Sequence, residues 1–320
     1  MNQESTQQAP RWLPRSSARQ AFVVTLCSAG DIDAALATLD ETLGELAITE
    51  RQRLDNNRCA LTLECTPVRA WSLLQDLRRR LQASDVYLQP ESTPPVRLLI
   101  CDMDMTIVAA ETLDEVAAAL GMGERIAAIT ARAMHGELDF DAALRERIEM
   151  LAGESEQAFH DIANQLQLNP GATELLAAAK AAGVHCVLVS GGFAQVAEPV
   201  ARRLGFDEVY CNHLDIVNGR LGGAVHAPIV NADYKCKILQ QSARKLGIGL
   251  VECCAIGDGA NDLPMLRAAG LGIAYRAKPI LHAASSCHID ATDLASAIHF
   301  MRLDSADNSW TAKQSSIPVV

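Results

Sequence analysis

The sequence predicts an α/β protein in which a parallel sheet packs against helices, carries an inserted helical cap, and follows a small βαββαβ domain. Three short apolar runs, each ending in small, polar or acidic residues before a helical pattern, predict parallel strands. About 60 residues of helical pattern separate the first run from the second, far more than the dozen or so that a crossover requires. Residues 20–90 carry their own strand and helix patterns and end at a proline-rich segment, which predicts a separate domain.

Length and composition set the scale of this architecture. A chain of 320 residues is long enough for about two domains with a sizeable core. Hydrophobic residues make up 49% of the chain but aromatic residues only 4%, so the core must be aliphatic, as in helix-on-sheet packing. The 28 basic and 39 acidic side chains give a net charge of −11, which argues against nucleic-acid and anionic-membrane partners. No apolar run approaches the ~20 residues of a membrane span.

The cysteines and the termini indicate a cytoplasmic protein. The ten cysteines show neither metal-ligand nor disulfide spacing, and several lie inside strand-like runs as small apolar residues. Such usage suits a reducing cytosol. Residues 1–19 are polar and lack the apolar segment of a secretory signal, so we expect a disordered lead-in there and a disordered tail over residues 304–320.

The N-terminal domain is predicted from its order of elements. Strand patterns cover residues 20–27, 48–54, 59–65 and 86–88, and helical patterns cover residues 31–46 and 70–81. This βαββαβ order is that of a ferredoxin-like split unit, and it resembles the ACT family of small-molecule regulatory domains. A purely structural module, or one that forms a homodimer through this domain, explains the pattern equally well. Residues 91–95 then form a stiff, proline-containing linker to the second domain.

The most informative segment is Asp102-Met103-Asp104-Met105-Thr106, which directly follows the apolar run 96–100. Two carboxylates this close repel each other, which raises the pKa of one of them unless a cation compensates. The simplest such cation is Mg²⁺, which prefers carboxylate oxygen and usually also binds substrate phosphate. Taken alone, the segment is equally typical of a turn of Asp and Thr that closes a strand.

Two later strand ends repeat this arrangement. The run 184–189 ends in Ser190-Gly191-Gly192, and the run 252–257 ends in Asp258-Gly259-Ala260-Asn261-Asp262. In an open parallel sheet, ligands bind outside the carboxyl ends of the strands. We therefore predict that five side chains surround one crevice: Asp102, Asp104, Ser190, Asp258 and Asp262.

A cap over that crevice is predicted from the long insertion after the first strand. Its helical patterns cover residues 112–120, 124–134, 140–151 and 155–166, within a cap of about residues 108–168. A cap excludes water from a crevice and supplies contacts to the substrate. After Gly171 helix and strand patterns alternate again, with a hairpin at residues 214–225 and helices at residues 234–246 and 263–269.

From about residue 97 to residue 300 these segments resemble the haloacid dehalogenase (HAD) superfamily of phosphotransferases. The resemblance rests on the two Asp motifs above, on Ser190-Gly191-Gly192-Phe193 and on Lys235. It implies a HAD-like, Rossmannoid core with an inserted helical cap. Within the superfamily, the cap resembles the phosphoserine phosphatase branch in residues 111–115, 134–140 and 144–147.

The resemblance implies roles for the acidic residues of the crevice. Asp102 is the expected nucleophile and forms an aspartyl-phosphate that water then hydrolyses. Asp104 is expected to protonate the departing serine oxygen and later to deprotonate water. Mg²⁺ is expected on Asp102, Asp258 and the backbone carbonyl of Asp104, while Asp262 acts through a bound water or by orienting its neighbours.

The resemblance also implies which residues bind the phosphoryl group. Ser190, the amide of Gly191 and the ammonium of Lys235 are expected to hold its oxygens, since a backbone N–H and a fixed cation suit that task. The local pattern by itself favours a solvated helix lysine at Lys235. Asn261 is expected to position the substrate or its loop.

Substrate choice is expected to lie in the cap. Arg147 would hold a carboxylate bidentately, and Glu111 would pair with an ammonium. Met134 and Phe140 would form an apolar wall that dries the closed site. The alternatives are ordinary cap core for Met134 and Phe140, and a surface ion pair with a neighbouring glutamate for Arg147.

The predicted activity is Mg²⁺-dependent hydrolysis of O-phospho-L-serine to L-serine and phosphate, the last step of serine biosynthesis. Two other enzymatic interpretations remain open: transfer of the phosphoryl group from phosphoserine to another small alcohol, and hydrolysis of a different small phosphate ester. A third interpretation is an amino-acid-binding sensor with a vestigial phosphatase domain. The complete set of acidic residues and Lys235 argues against that sensor.

Overall fold

A computed structural model describes residues 17–135 and 137–303, except for the side chain of Met134. The predicted tail and nearly all of the predicted lead-in lie outside these residues. Within the described part, no helix combines the length and the apolar character that crossing a membrane requires. All ten cysteines belong to the described residues and are free thiols.

The N-terminal domain, residues 20–90, has the predicted βαββαβ order. Its elements are β1 (Gln20–Ser28), α1 (Ile32–Leu43), β2 (Ile48–Arg53), β3 (Arg58–Cys65), α2 (Pro67–Arg80) and β4 (Ser84–Pro90). The four strands form one sheet in the order β2-β3-β1-β4, and β1 pairs antiparallel with both β3 and β4. Helix α2 begins three residues earlier than its apolar pattern, because Thr66 caps it and Pro67 occupies its first turn.

The larger domain, residues 96–303, is built on a six-stranded parallel sheet. Its strands are β5 (Leu98–Cys101), β6 (His185–Phe193), β7 (Glu208–Asn212), β10 (Cys253–Gly257), β11 (Leu271–Tyr275) and β12 (Cys287–Ile289). Their order is β12-β11-β10-β5-β6-β7. The hairpin of β8 (Leu214–Val217) and β9 (Arg220–Val225) forms a separate two-stranded sheet, as predicted.

Helices cover both faces of the parallel sheet. They are α7 (Ala172–Ala181), α8 (Ala194–Leu204), α9 (Ala232–Leu246), α10 (Leu263–Ala268), α11 (Pro279–Ala284) and α12 (Ser296–Phe300). Leu99 and Cys101 of β5 join the core on the side of α7 and α8, while Leu98 and Ile100 join the core on the side of α9 and α10. A strand buried on both faces reads as a continuous apolar run, as observed in the sequence.

The cap is inserted between β5 and α7. Its helices are α3 (Thr112–Ala119), α4 (Gly123–Met134), α5 (Phe140–Met150) and α6 (Gln157–Gln165), close to the four helical patterns predicted. The two segments that join the cap to the sheet run side by side, since Val108 pairs antiparallel with Leu168. The N–H of Ala109 donates to the carbonyl of Gln167 at 3.0 Å.

The N-terminal domain packs directly on the larger domain. The buried carboxylate of Asp85 accepts hydrogen bonds from the three consecutive N–H groups of residues 290–292, at 2.8–3.1 Å. Gln89 Nε2 donates to the carbonyl of Phe300 at 2.9 Å, and the rings of Tyr87 and Phe300 lie 5.6 Å apart. The proline-containing linker therefore joins two domains that share a buried interface.

Candidate active site

The predicted crevice lies where β5, β6 and β10 end. Asp102 follows β5 and extends its pairing by one step, because its N–H donates to the carbonyl of Ile256 at 3.0 Å. Ser190 lies near the end of β6 and is fully buried, and Asp258 follows β10 and is 5% exposed. The carboxyl-end rule thus correctly located these three residues.

Lys235 connects the nucleophile candidate to the acidic motif after β10. Its Nζ lies 2.6 Å from Oδ1 of Asp102 and 2.7 Å from Oδ1 of Asp262, and its side chain is fully buried. Burial alone would lower the pKa of Lys235, but the carboxylates of Asp102 and Asp262 raise it above its ordinary value. The local expectation of a solvated helix lysine was wrong, because α9 packs its Lys235 face against the sheet.

Asp262 is held on both of its carboxylate oxygens. Its Oδ1 accepts from Lys235, and its Oδ2 accepts from the N–H groups of Asp258 at 3.2 Å and Gly259 at 3.1 Å. A Cβ at Gly257 would lie 2.4 Å from Cγ of Asp262, so only glycine leaves room for this carboxylate. These contacts give Asp262 the geometry of a residue that orients Lys235 and the Asp258 loop.

The crevice carries more negative charge than its lysine balances. One carboxylate oxygen each from Asp102, Asp258 and Asp262 lies within 4.8 Å of the other two, and all three residues are buried. Burial, followed by the negative charge of Asp262, raises the pKa of Asp258 to about 6. Three buried carboxylates clustered around a single buried ammonium fit a hard divalent cation.

Asp104 and Ser190 face the same small space. A Cβ at Gly192 would lie 3.0 Å from Ser190 Oγ and 3.3 Å from Asp104 Oδ2. Because residue 192 is a glycine, no side chain stands between these two groups. Burial, followed by the charge of Glu111, raises the pKa of Asp104 to about 7. The N–H of Thr112 donates to Asp104 Oδ1 at 3.4 Å. A carboxyl with a pKa near neutrality can both donate and accept a proton.

The end of β6 around Gly191 is held by Asn212 and covered by the cap. Asn212 Nδ2 donates to the carbonyl of Gly191 at 2.8 Å, and Asn212 Oδ1 accepts from the N–H of Val230 at 2.8 Å. A Cβ at Gly191 would lie 3.2 Å from Cζ of Phe140, the first residue of cap helix α5. Phe140 therefore lies over the end of β6, which is predicted to bind phosphate.

Arg147 is presented by the last turn of α5. Its Nε donates to the carbonyl of Ala143 at 3.3 Å, and among the described residues no carboxylate lies within ion-pair distance of its guanidinium. Burial lowers the pKa of Arg147, and the charges of Asp114 and Glu111 partly oppose that shift. The alternative of a surface pair with Glu146 was wrong, because Glu146 pairs with Arg132 at 2.6 Å instead.

Three predicted site residues remain to be located: Glu111, Asn261 and Met134. Glu111 occupies the N-cap position of α3 without a capping hydrogen bond from its side chain, and its Oε1 lies 3.0 Å from Nζ of Lys278. Asn261 lies in the short 3-10 helix Ala260–Asp262, where a Cβ at Gly259 would come within 2.4 Å of its Oδ1. Met134 ends α4, and its side chain lies outside the described part of the chain.

Comparison with known proteins identifies the family of the larger domain. A family model described as haloacid dehalogenase-like hydrolase matches residues 99–267, more than half of the chain. This chain is a haloacid dehalogenase-like hydrolase. The matched residues contain the whole acidic cluster, Ser190, Lys235 and the cap.

Relatives of this HAD-like hydrolase include enzymes of known name. A curated phosphoserine phosphatase of Lactococcus lactis is 43% identical over 204 residues, which cover 64% of this chain and 94% of the relative. The crystal structure of a HAD family hydrolase from Salmonella enterica has a TM-score of 0.79 at 31% identity, covering 90% of this chain and 99% of the other. An unliganded probable phosphoserine phosphatase from Vibrio cholerae has a TM-score of 0.74 at 29% identity, covering 92% and 88%. In both structures the likeness extends beyond the larger domain.

Lys278 lies beside the acidic cluster of this HAD-like hydrolase and was not predicted from the sequence. Lys278 follows β11, and its Nζ lies 3.0 Å from Glu111 Oε1 and 3.6 Å from Asp258 Oδ2. Its backbone N–H also donates to the carbonyl of Asp258 at 2.9 Å. Applying the carboxyl-end rule to the apolar run 271–275 would have found it.

A second missed residue, Asn169, shapes the loop after the nucleophile candidate. It is buried, and its Nδ2 donates to the carbonyls of Met105, Thr106 and Val108 at 2.8–3.2 Å. The loop carrying Asp104 is therefore anchored where the chain returns from the cap. A single asparagine after a helical pattern gives no sequence signal for that role.

Proposed function

We propose that this HAD-like hydrolase converts O-phospho-L-serine and water to L-serine and phosphate, with Mg²⁺ as its cofactor. The observation that carries the proposal is the buried contact of Lys235 with Asp102 and Asp262, next to the further carboxylate of Asp258. A fixed cation beside a nucleophilic carboxylate is suited to phosphoryl transfer, where positioning and charge neutralisation provide most of the catalysis.

The acidic cluster fits Mg²⁺ because its donors are oxygens and its charge exceeds that of Lys235. Asp102, Asp258 and the backbone carbonyl of Asp104 would hold the ion. Asp262 is already engaged by Lys235 and two backbone amides, which favours an orienting role for it. When bound, Mg²⁺ would neutralise charge on the phosphoryl oxygens.

In the first step, a carboxylate oxygen of Asp102 attacks phosphorus and the bond between phosphorus and the serine oxygen breaks. The carboxyl of Asp104 gives its proton to that oxygen, so serine leaves as a neutral alcohol. Asp102 then carries the phosphoryl group as a mixed anhydride. Ser190 Oγ, the Gly191 amide and Lys235 would hold the phosphoryl oxygens during the transfer.

In the second step, water attacks the phosphorus of the aspartyl-phosphate. The carboxylate of Asp104 takes a proton from this water, and the bond from phosphorus to the Asp102 oxygen breaks. Phosphate is released, Asp102 returns to its carboxylate, and Asp104 is protonated again. The anchoring of the Asp104 loop by Asn169 supports the two proton transfers, since both require Asp104 to keep one position.

The choice of phosphoserine is supported by the cap. The half-buried guanidinium of Arg147, without a carboxylate partner among the described residues, suits the substrate carboxylate. Glu111 suits the ammonium, while Phe140 would exclude water over Gly191 and Asn261 would position the substrate or its loop. The phosphoserine phosphatase of Lactococcus lactis, at 43% identity, supports the same substrate.

We further propose a cytoplasmic location, which the ten free and mostly buried thiols support. Phosphoserine is the proposed small-molecule partner. The regulatory or dimerising role of the N-terminal domain stays a prediction.

The test is a panel of phosphate esters assayed with Mg²⁺ and with EDTA. We expect phosphoserine to give the highest kcat/KM of the panel, and we expect EDTA to abolish phosphate release. Adding small alcohols tests the transferase alternative, because a transferred phosphoryl group appears as a new ester and lowers the yield of free phosphate. A different ester with clearly higher kcat/KM would refute the proposed substrate.

A further inference from the structure

A second cluster of metal-ligating side chains lies outside the candidate active site. It consists of His282 in α11, His288 in β12, and Asp290 directly after β12. One potential ligand atom of each lies within 4.8 Å of the other two. His282 Nε2 lies 2.9 Å from Asp290 Oδ2, and the two imidazole rings stack with centroids 3.9 Å apart.

His288 is held in the chemical form that a metal ion requires. Its Nε2 lies 2.9 Å from the carbonyl oxygen of Ser285, and because a carbonyl only accepts, Nε2 must carry the proton. The lone pair is therefore on Nδ1. Burial, followed by the charge of Arg78, lowers the pKa of His288 to about 3. A ligating histidine that donates its other N–H to a backbone carbonyl is the usual arrangement in metal sites.

Hydrogen bonds fix the backbone at His282 and Asp290, and the side chains of these two residues are partly exposed to solvent. The N–H of Asp290 donates to Asp85 Oδ1 at 2.8 Å, and the N–H of His282 donates to the carbonyl of Lys278 within α11 at 3.0 Å. The side chains of His282 and Asp290 are 39% and 43% exposed, whereas His288 is buried. An ion can therefore reach ligands whose backbone positions are already fixed.

We infer that His282, His288 and Asp290 bind a borderline divalent transition-metal ion, of which Zn²⁺ is the representative. Two imidazoles and one carboxylate suit Zn²⁺, and water would complete a four-coordinate shell. In a tetrahedral shell, bonds of about 2.0–2.1 Å place neighbouring ligand atoms about 3.3–3.4 Å apart. The imidazole of His282, which is stacked on that of His288, must therefore rotate to direct its lone pair at the ion. Binding would replace the direct contact between His282 Nε2 and Asp290 Oδ2 with bonds from both groups to the ion. The nearby Arg78 charge opposes the ion, so we expect micromolar affinity.

The test is calorimetric titration of the full chain with Zn²⁺ in saturating Mg²⁺, which is added to fill the Mg²⁺ site proposed in the acidic cluster. We expect one Zn²⁺ per chain, and a loss of affinity of at least about tenfold in both His282→Gln and Asp290→Asn. The matched control is His226→Gln, which alters an exposed histidine elsewhere in the larger domain and should leave the titration unchanged. Buried His288 is left intact so that folding is preserved, and circular dichroism checks each variant.

Two results would overturn the inference. One is the absence of saturable Zn²⁺ binding in the presence of Mg²⁺, which would place any binding seen without Mg²⁺ in the acidic cluster. The other is unchanged Zn²⁺ affinity in His282→Gln and Asp290→Asn. As an independent readout, a fixed Zn²⁺ concentration should raise the Tm of the parent protein by mass action and raise the Tm of both variants by less.

Discussion

The Nζ of Lys235 lies 2.6 Å from Oδ1 of Asp102, and the two side chains are 0% and 5% exposed. A buried ion pair adds little net stability, because the loss of hydration offsets most of the attraction between the charges. Function explains the pair better than stability does. Lys235 holds the nucleophile candidate in place and supplies a cation where phosphoryl oxygens would bind.

Replacing Lys235 by methionine should remove this cation while filling much of the same volume. We expect kcat for phosphoserine to fall by at least about 100-fold. Stability measured by urea unfolding in EDTA should fall by about 3–5 kcal/mol, since Asp102 and Asp262 would remain buried without a partner. Lys237→Met changes an exposed lysine of the same helix and should alter neither quantity. Loss of stability with full activity would restrict Lys235 to a structural role.

Arg147→Ala tests the substrate carboxylate directly. Removing the partner of a desolvated carboxylate costs about 2–5 kcal/mol, so kcat/KM for phosphoserine should fall by about 30-fold or more. Activity on p-nitrophenyl phosphate, which has no carboxylate, should change only a few-fold. The control is Arg145→Ala, an exposed arginine on the same helix. Equal losses on both substrates would assign Arg147 to cap folding or phosphate binding.

Lys278 should affect the metal requirement. Its ammonium lies 3.6 Å from Asp258 Oδ2 and would repel Mg²⁺ held by that carboxylate. Because Lys278 is more than half exposed, solvent screens the repulsion, and we expect only a few-fold effect. Lys278→Met should therefore lower the Mg²⁺ concentration for half-maximal activity, and Lys278→Arg should leave it near the parent value. A higher Mg²⁺ requirement in Lys278→Met would contradict this account.

Asp85 should govern the docking of the two domains. Its carboxylate accepts three backbone hydrogen bonds from residues 290–292, and Asp85→Ala leaves those N–H groups buried without an acceptor. We expect a loss of at least about 2 kcal/mol in urea unfolding. Glu50→Ala, at an exposed position of β2, is the matched control. A stability equal to that of the parent would show that the interface does not depend on this carboxylate.

The parts of the fold that could be predicted are those with a local signal. The apolar runs of β5, β6 and β10 lie in the interior on both faces, so composition alone revealed them. The four cap helices followed from their apolar periodicity. Because parallel strands share one carboxyl edge, the common location of Asp102, Ser190 and Asp258 also followed.

The parts that could not be predicted depend on contacts between distant segments. Burial of Lys235 follows from the packing of α9 against β5 and β6, which no pattern within α9 reveals. The hydrogen bonds of Asp85 to residues 290–292 join segments that are 205 or more residues apart in the sequence. In the sequence, Asn169 has the pattern of an ordinary loop residue. Its role is visible only in the three hydrogen bonds that it donates to backbone carbonyls.

The role of Asp102 is tested most directly by the turnover of Asp102→Asn on phosphoserine. The amide is nearly isosteric and keeps an oxygen for Lys235, but it cannot attack phosphorus. We expect intact folding by circular dichroism, phosphoserine binding close to that of the parent, and phosphate release reduced by at least about 1,000-fold, a barrier increase of about 4 kcal/mol. Phosphate release at a tenth or more of the parent rate, within about 1.4 kcal/mol, would remove Asp102 from the nucleophile role.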